Sequence, residues 1–568
     1  MRSTLLKALV AGILALIFLS QGMTAPFQKD EESRPAGIII DVVTHGNWLI
    51  PDDLYGEATR KPPLFYWLAA LIAEARGGIV DEPGARAVSL LSAAIIAGLV
   101  MAFACINLET SAGGLALLFL LGIYGFASRA ALGRTDMLFT CFLFAGYCTV
   151  YPLVQGGTTS TSRAVAAGVL LGLAVATKGP LAIVLAALAL LIYAGLRRSN
   201  PLRMAAQAWP WIVLGIAAGI GALWYVPAFL RDPQLFRVQF FQENFGHLVS
   251  AKLGGTGEAA RPFYYIWLRF IGAALPLILY LPAVLARLVP KWKSRDPILY
   301  QLALILAVLG IFTVASSKRD IYVLPALPSL AIVLTGCFVS DPGSERARRV
   351  SILTDSATVL AGLGILLITI AGLVLALRPA LISRMLGSMQ SSDAAYLKLT
   401  LSDFAHAHVG FLLVMLVAAA SSIAALILVK THRSYTAGVC VGIASLAAVS
   451  LWTGMLKPQL SRHRTLKYFV MRAEPIVDRH DLYVVGAPEY ELSYYFGRGI
   501  PGWRRSVIRP GSNCASYLML WSDQLNQVFH GTKVAPPPIL ESDSMTSHGR
   551  MLLLNVGGPD LSNACADR

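Results

Sequence analysis

The sequence predicts an α-helical polytopic membrane protein of about thirteen transmembrane helices, ending in a small α/β domain outside the membrane. Three observations predict it. Of the 568 residues 56% are hydrophobic and 14% charged, with a mean hydropathy of +0.63, where a soluble domain carries roughly a quarter charged residues. Apolar runs of about 20 residues, the length that crosses a bilayer as a helix, recur along the chain. Lysine and arginine gather in alternate loops, as a consistent topology requires.

Taken in order, the runs fall near 5–22, 85–105, 112–128, 135–154, 164–178, 179–196, 208–230, 263–288, 298–316, 321–340, 356–377, 408–429 and 435–455. The two that meet at "TKGP", Thr177 to Pro180, require a very tight turn. The first run reads as an uncleaved helix; its short core and the "MTA" before Pro26 also fit a signal peptide, and either way residue 26 lies outside. With a cytoplasmic N-terminus, the cytoplasmic loops hold Arg197, Arg198 and Arg203; Arg287, Lys291, Lys293 and Arg295; Arg346, Arg348 and Arg349; and Lys430 and Arg433. The opposite side then receives 23–84, 231–262, 378–407 and 456–568. Residues 1–455 form a transmembrane domain whose first outer loop, 23–84, carries interfacial helices. Residues 456–568 form an extracytoplasmic α/β domain, with strands at "DLYVVG" and "MLLLNVG" and a helix in "EYELSYYFGR" between them.

The net charge of +15 follows from the basic bias of cytoplasmic loops, and no nucleic-acid recognition module accompanies it. Seven cysteines include no CxxC pair and no zinc spacing. Cys105, Cys141, Cys148, Cys337 and Cys440 lie in apolar runs as small hydrophobes. Cys514 and Cys565 lie in the polar C-terminal segment, where an oxidising compartment would allow a disulfide.

Chemistry-bearing residues collect at the outer turns. The first outer loop opens with Asp30, Glu31, Glu32 and Arg34, and later carries "THGNWLIP" and "RKPPLFYWLAALIAE". The latter reads as a helix lying in the interface, with Tyr66 and Trp67 at headgroup depth. Lys61 precedes two prolines that fix the backbone, which suits an ammonium held for a lipid phosphate; an ordinary snorkelling lysine is the plain alternative. "SRAALGRTDMLFT" puts Arg134 and Asp136 at the mouth of the fourth helix, where an ionisable group is costly unless paired or functional. "SSKRDIYVLPALP" supplies Lys318, Arg319, Asp320 and Tyr322, and "FQENFGHLVSAK" supplies Glu243, Asn244, His247 and Lys252. Lys178 also faces out. Each alone reads as a solvated loop charge. Together, on one side of the membrane, they provide carboxylates for acid–base work and cations for phosphate, which suits transfer of a group carried on a lipid phosphate.

"GNWLIP" followed by "KPPLFYW", "GRTDMLFT", "TKGP", "ENF" and "SKRDIYVLPALP", in this order, resembles the membrane glycosyltransferases of the C-type fold. These include the bacterial aminoarabinose transferases of lipid A and the protein O-mannosyltransferases. The resemblance covers about residues 5–340, and the helix count with a small outer domain is closer to the aminoarabinose branch. It implies a polyprenyl-phosphate sugar donor and a glycolipid or protein acceptor among membrane lipids, with the chain in the bacterial inner membrane. The family's Asp-Glu-x-Arg-Tyr pattern falls on Glu31-Glu32-Ser33-Arg34-Pro35, or Asp30 and Glu31 match its acidic pair directly. Glu31 or Asp30 is then the carboxylate that accepts or positions the acceptor proton, with Glu32 in the same pattern and Asp136 as the second acidic group. Lys61 and Tyr322, with Lys318, Arg319 and Arg34, would hold the leaving phosphate. Arg134, Lys178, Glu243 and His247 complete the expected cavity. The resemblance implies no metal or other cofactor, although a carboxylate pair is able to bind Mg²⁺ or Mn²⁺.

Of the two acceptors the glycolipid is favoured, because no extended outer domain that would grip a polypeptide is evident. A secondary transporter would place its ionisable groups near the midplane and show related halves.

Overall fold

A computed structural model of the chain describes residues 2–27, 30–156, 160–237, 261–289, 296–339, 345–377, 409–478, 480–487, 489–503, 516–529, 536–546 and 548–556. Glu243, Asn244, His247, Lys252, Cys514, Cys565 and the segment 378–407 lie outside these residues.

Each of the thirteen expected runs holds an apolar helix. The membrane part comprises α1 (Arg2–Leu19), α4 (Glu82–Asn107), α5 (Thr110–Gly122), α6 (Tyr124–Ala130), α7 (Thr135–Val154), α8 (Thr161–Lys178), α9 (Leu181–Leu196) and α11 (Ala208–Arg231). It continues with α13 (Tyr265–Ala274), α14 (Leu281–Leu288), α15 (Pro297–Val314), α16 (Leu327–Leu334), α17 (Glu345–Leu377), α18 (Val409–Lys430) and α19 (Ser434–Ser450). Short helices α10 (Pro201–Ala205) and α12 (Pro233–Arg237) flank α11. Among the described residues, ten spans are long and apolar enough to cross a membrane, or twelve if each of two bent pairs is one span. The 16-residue α9 is a shorter apolar helix.

The bent pairs correct two expected straight helices. α5 and α6 meet at 69°, and α13 meets the segment Leu277–Leu288 at 99°. In the first case Ile123 leaves the helical region (φ −75°, ψ 107°). In the second, Leu275 precedes Pro276 and is extended (φ −63°, ψ 143°), as the proline ring requires of the residue before it. The turn at "TKGP" is made by Gly179 at φ +96°, a conformation that only glycine adopts without steric cost. It ends α8 at Lys178 and starts α9 within two residues.

The first outer loop is folded. Its acidic stretch is the first turn of α2 (Asp30–His45), and "LFYWLAALIAEA" is α3 (Leu64–Ala75). Ile38, Ile39 and Val42 of α2 pack with Phe65, Tyr66 and Ala69 of α3 against Val88 and Leu138 at the ends of α4 and α7. Tyr66 is therefore 5% exposed, packed inside this cluster. Its ring meets Phe65 edge-on at 5.6 Å. Trp67 is half-buried and donates to the Trp48 carbonyl at 2.6 Å.

The last membrane helix runs on past residue 455. A π-helical turn, Leu451–Leu456, joins α19 to α20 (Lys457–Arg464), and α21 (Lys467–Val477) leads into the C-terminal unit. There β1 (Asp481–Val484), α22 (Tyr490–Tyr495), β2 (Ser516–Trp521), α23 (Leu525–Val528), β3 (Leu540–Thr546) and β4 (Gly549–Asn555) follow. The sheet order is β1-β2-β4-β3, with β1 parallel to β2 and the other pairs antiparallel. α21 packs Phe469, Val470 and Ala473 onto its face.

Four tyrosines fasten this unit to the first outer loop. Tyr490 donates to Asp53 at 3.0 Å, Tyr494 to the Val80 carbonyl at 2.7 Å and Tyr495 to Glu82 at 3.0 Å. The Phe27 amide donates to the Tyr495 hydroxyl at 2.8 Å, and the Tyr55 and Ser493 hydroxyls share a bond of 2.6 Å. Lys467 pairs with Glu82 at 2.7 Å. The C-terminal unit and the acidic loop thus occupy the same side of the helical domain.

Candidate active site

The site is built where α7 begins. Arg134 is the extended residue before the helix, and Asp136 lies in its first turn, where a carboxylate favours the helix dipole. The Asp136 side chain is 6% exposed. Its Oδ1 accepts from Lys178 Nζ at 2.5 Å, and Arg134 Nε stands 3.3 Å from its Oδ2. The Gly179 turn fixes Lys178 at the last position of α8, directly opposite. Lys178 Nζ also lies over the rings of Tyr322, 5.3 Å from the centroid, and Phe139, at 5.5 Å. Tyr322 stacks on Phe312 at 4.5 Å. Lys61 is within electrostatic reach of Asp136.

The other end of Arg134 reaches α2. Its Nη1 is 3.3 Å from Glu31 Oε2, and the Glu31 side chain is 68% exposed. Burial alone would lower the Arg134 pKa; the charges of Asp136 and Glu31, with Asp320 and Tyr322 near, raise it instead. Glu31, Lys61, Arg134, Asp136, Lys178 and Tyr322, six of the residues expected from sequence, therefore converge where the ends of α2, α7 and α8 meet.

Others of the expected set do different work. Glu32, one residue from Glu31, faces inward. It forms a buried pair with Arg86 at 2.7 and 2.8 Å and accepts from the Gly133 amide at 3.0 Å. Arg86 also donates to the carbonyls of Met23 and Ala25 at 2.8 and 2.5 Å. The pair thus ties α1, α2, α4 and the turn before α7 together. Arg34 pairs with Asp53 at 2.9 Å and Glu57 at 3.1 Å and lies over Tyr490 at 5.2 Å, which places it at the C-terminal unit. Lys318 is buried, and its ammonium donates to the carbonyls of Ala315 and, at 3.2 Å, Arg261. It caps the end of α15. Arg319 is exposed. Asp30 is the first residue of α2.

Burial alone would raise the Glu32 pKa; Arg86 and the Gly133 amide overcome it and hold the carboxyl below its ordinary value. A carboxylate of this kind stabilises the fold above its unfolded pKa, and the contribution is lost as pH falls through the lowered one. Glu32→Gln is expected to cost about 3–5 kcal/mol by leaving Arg86 buried without its counterion. The check is thermal unfolding in detergent: a lowered midpoint at pH 7, with the gap to the unaltered protein closing toward pH 3.

Two features were not read from sequence. Arg129 of α6 pairs with Asp320 at 2.6 Å and donates to the Gly125 carbonyl at 3.0 Å. Lys457, the first residue of α20, reaches the same corner. The available signal was the "LKPQL" at the outer end of the last apolar run, a second lysine followed by proline.

The architecture is that of the C-type membrane glycosyltransferases, and the resemblance read from the motifs is borne out by comparison with known proteins. Residues 60–225 match the family described as dolichyl-phosphate-mannose-protein mannosyltransferase. The chain is similar to the undecaprenyl phosphate-alpha-4-amino-4-deoxy-L-arabinose arabinosyl transferase of Aeromonas salmonicida, 27% identical over 57% of this chain and 59% of that one. The Erwinia tasmaniensis protein of the same name is 28% identical over 65% of each chain. The chain thus spans about six-tenths of the length of the curated relatives it matches. Among solved structures, ArnT from Cupriavidus metallidurans bound to undecaprenyl phosphate superposes with a TM-score of 0.74 over 98% of this chain and 99% of that one, at 16% identity. At that identity the likeness establishes the fold.

Proposed function

We propose that the chain is a membrane glycosyltransferase that moves a sugar from a polyprenyl-phosphate sugar to a lipid A-like glycolipid, at the outer face of the inner membrane. The observation that carries this reading is the cluster itself. An exposed carboxylate, Glu31, and a buried one, Asp136, are bridged by Arg134 beside Lys178, Lys61 and Tyr322, in a fold shared with an enzyme crystallised with undecaprenyl phosphate. The names of the relatives support the donor class.

In the proposed step an acceptor oxygen attacks the anomeric carbon. A bond from that oxygen to carbon forms, the bond from the anomeric carbon to the phosphate oxygen breaks, and the electron pair leaves with the polyprenyl phosphate. Lys61, Lys178 and Tyr322 hold that phosphate as its charge develops. Asp136 holds Lys178 and Arg134 in place through its two oxygens. Glu31 takes the proton if the acceptor is a hydroxyl; an ionised phosphate acceptor needs only orientation, and Glu31 then positions it. The reading assigns no metal. Both carboxylates are engaged by cationic side chains, which neutralise the charge that a divalent ion would otherwise require.

The N-terminus is proposed to be cytoplasmic and the C-terminal unit periplasmic, from the placement of basic loops. The reading is tested by lipid mass spectrometry on cells with and without the protein. A glycolipid species heavier by one sugar is expected to disappear with it, and the mass difference names the sugar. Unchanged glycolipids with an accumulating polyprenyl-phosphate sugar would move the acceptor to a protein, as the description of the matched family has it. No change in either would overturn the reading.

A further inference from the structure

We propose that Lys457, with Arg129, forms a second anion subsite that takes the phosphomonoester headgroup of the lipid acceptor. The proposal rests on the glycosyltransferase reading above and adds to it the residues that seat the acceptor.

The helix geometry delivers Lys457 to this place. Pro458 has no amide hydrogen to continue the ladder, and the chain widens into the π turn Leu451–Leu456 immediately before it. Single π turns inside helices are frequent at functional sites. This one is locked on both sides: Trp452 meets Tyr124 of α6 edge-on at 6.2 Å, and Ser450 donates to Gln21 at 2.9 Å. The contact with α6 sets Lys457 against the end of that short helix, which also carries Arg129.

The Lys457 ammonium is poorly satisfied there. Among the described residues its one hydrogen bond is a long one, 3.4 Å to the Ser128 carbonyl, and no carboxylate lies within ion-pair distance. An ammonium has three donors. The charges in reach are Glu32, Glu31, Arg86 and Arg129, and Glu32 is already taken by Arg86. Arg129 already meets Asp320 at 2.6 Å, so it is the part-buried Lys457, with donors unused, that lacks a counterion an incoming anion would provide.

The position also separates two roles. Lys61, Lys178 and Tyr322 gather around Asp136. Lys457 bonds the Ser128 carbonyl beside Arg129 and has Glu31 among the charges in its reach, and Glu31 meets Arg134 at 3.3 Å. An anion seated on Lys457 would lie within electrostatic reach of the exposed Glu31 carboxylate, which also meets Arg134 of the first group. A carboxylate in reach of both groups is able to orient the acceptor oxygen toward the donor.

The test uses the full chain in nanodiscs, with undecaprenyl phosphate, bisphosphoryl lipid A and dephosphorylated lipid A as probes. Lys457→Met is expected to weaken bisphosphoryl lipid A about tenfold, the loss of one charge-assisted contact. It should leave undecaprenyl phosphate within about twofold. Dephosphorylated lipid A should bind both forms equally weakly, and Lys457→Arg should recover most of the loss. Unchanged lipid A binding in Lys457→Met would overturn the subsite. So would equal weakening of both phosphorylated lipids, which marks a role in the fold, and so would a loss confined to undecaprenyl phosphate, which gives Lys457 to the donor. An unaltered protein that binds lipid A but not undecaprenyl phosphate would instead overturn the donor reading.

Discussion

Asp136→Asn is expected to lower sugar transfer by about 10²–10³-fold, the effect of removing one organised electrostatic contact from a transition state. The side chain keeps its shape and loses its charge. Asp136 is 4% exposed, so Lys178 and Arg134 lose a counterion that water does not replace. The asparagine oxygen still accepts from Lys178, but its amide then faces the Arg134 guanidinium at the position where Oδ2 now stands at 3.3 Å. Arg134 turns to its other partner, Glu31, and ties up the carboxylate proposed to meet the acceptor. Breaking such a buried pair also costs stability, about 3–5 kcal/mol. The measurement is therefore kcat per molecule, with the amount in the membrane quantified alongside. If Asp136→Asn fails to accumulate, Asp136→Asn combined with Lys178→Met removes both charges of the closest pair. That double variant is expected to recover the amount and not the activity. Normal kcat in a well-expressed Asp136→Asn protein would remove Asp136 from the site.

The second large effect falls on the donor. Lys61→Met is expected to raise the KM for the polyprenyl-phosphate sugar about 10–100-fold, the value of one charge-assisted contact to phosphate. Lys61 is held by Pro62 and Pro63, both buried, at the start of α3. Its backbone is thus fixed before the ligand arrives, and little ordering entropy is lost on binding. The methionine keeps the apolar stem, so a packing role alone would leave KM unchanged. Competition by free undecaprenyl phosphate should weaken in parallel. An unaltered KM and unaltered competition would return Lys61 to an ordinary interfacial lysine.

The helical domain was legible because membrane spans announce themselves by length and apolarity, and the α7 boundaries coincide with those expected, 135–154. The Asp136–Lys178 approach was half legible. "TKGP" marked a tight turn, and Gly179 at φ +96° is its cause. That the turn aims Lys178 at Asp136 is a long-range contact that no local pattern encodes. The acidic stretch was read as a cluster in which neighbouring carboxylates were interchangeable. In a helix each residue turns by about 100°, so Glu31 faces out while Glu32 faces Arg86, 54 positions along the chain. Sequence alone left the choice among Asp30, Glu31 and Glu32 open because the partner that decides it is remote. Lys318 and Arg34 failed to reach the cluster for a related reason: nearby carbonyls and the Asp53 carboxylate satisfy them first. Lys457 was marked in the sequence only by the proline after it, and its place beside α6 depends on the π turn before Pro458. In the C-terminal unit β1 and β4 were expected, whereas β2 and β3 were not. β2 is buried at every position and so lacks the alternation that marks a half-exposed strand. β3 reads "LESDSMT" and carries an irregularity in its pairing with β4.

The most direct test of the central claim is a transfer assay on the purified chain in nanodiscs, with a radiolabelled polyprenyl-phosphate sugar, bisphosphoryl lipid A and a chelator present. The account predicts that label moves to lipid A with release of one polyprenyl phosphate per sugar, undiminished by the chelator, and that Asp136→Asn lowers both about 10²–10³-fold. Label that stays on the donor, with the unaltered protein intact and both lipids supplied, would contradict it.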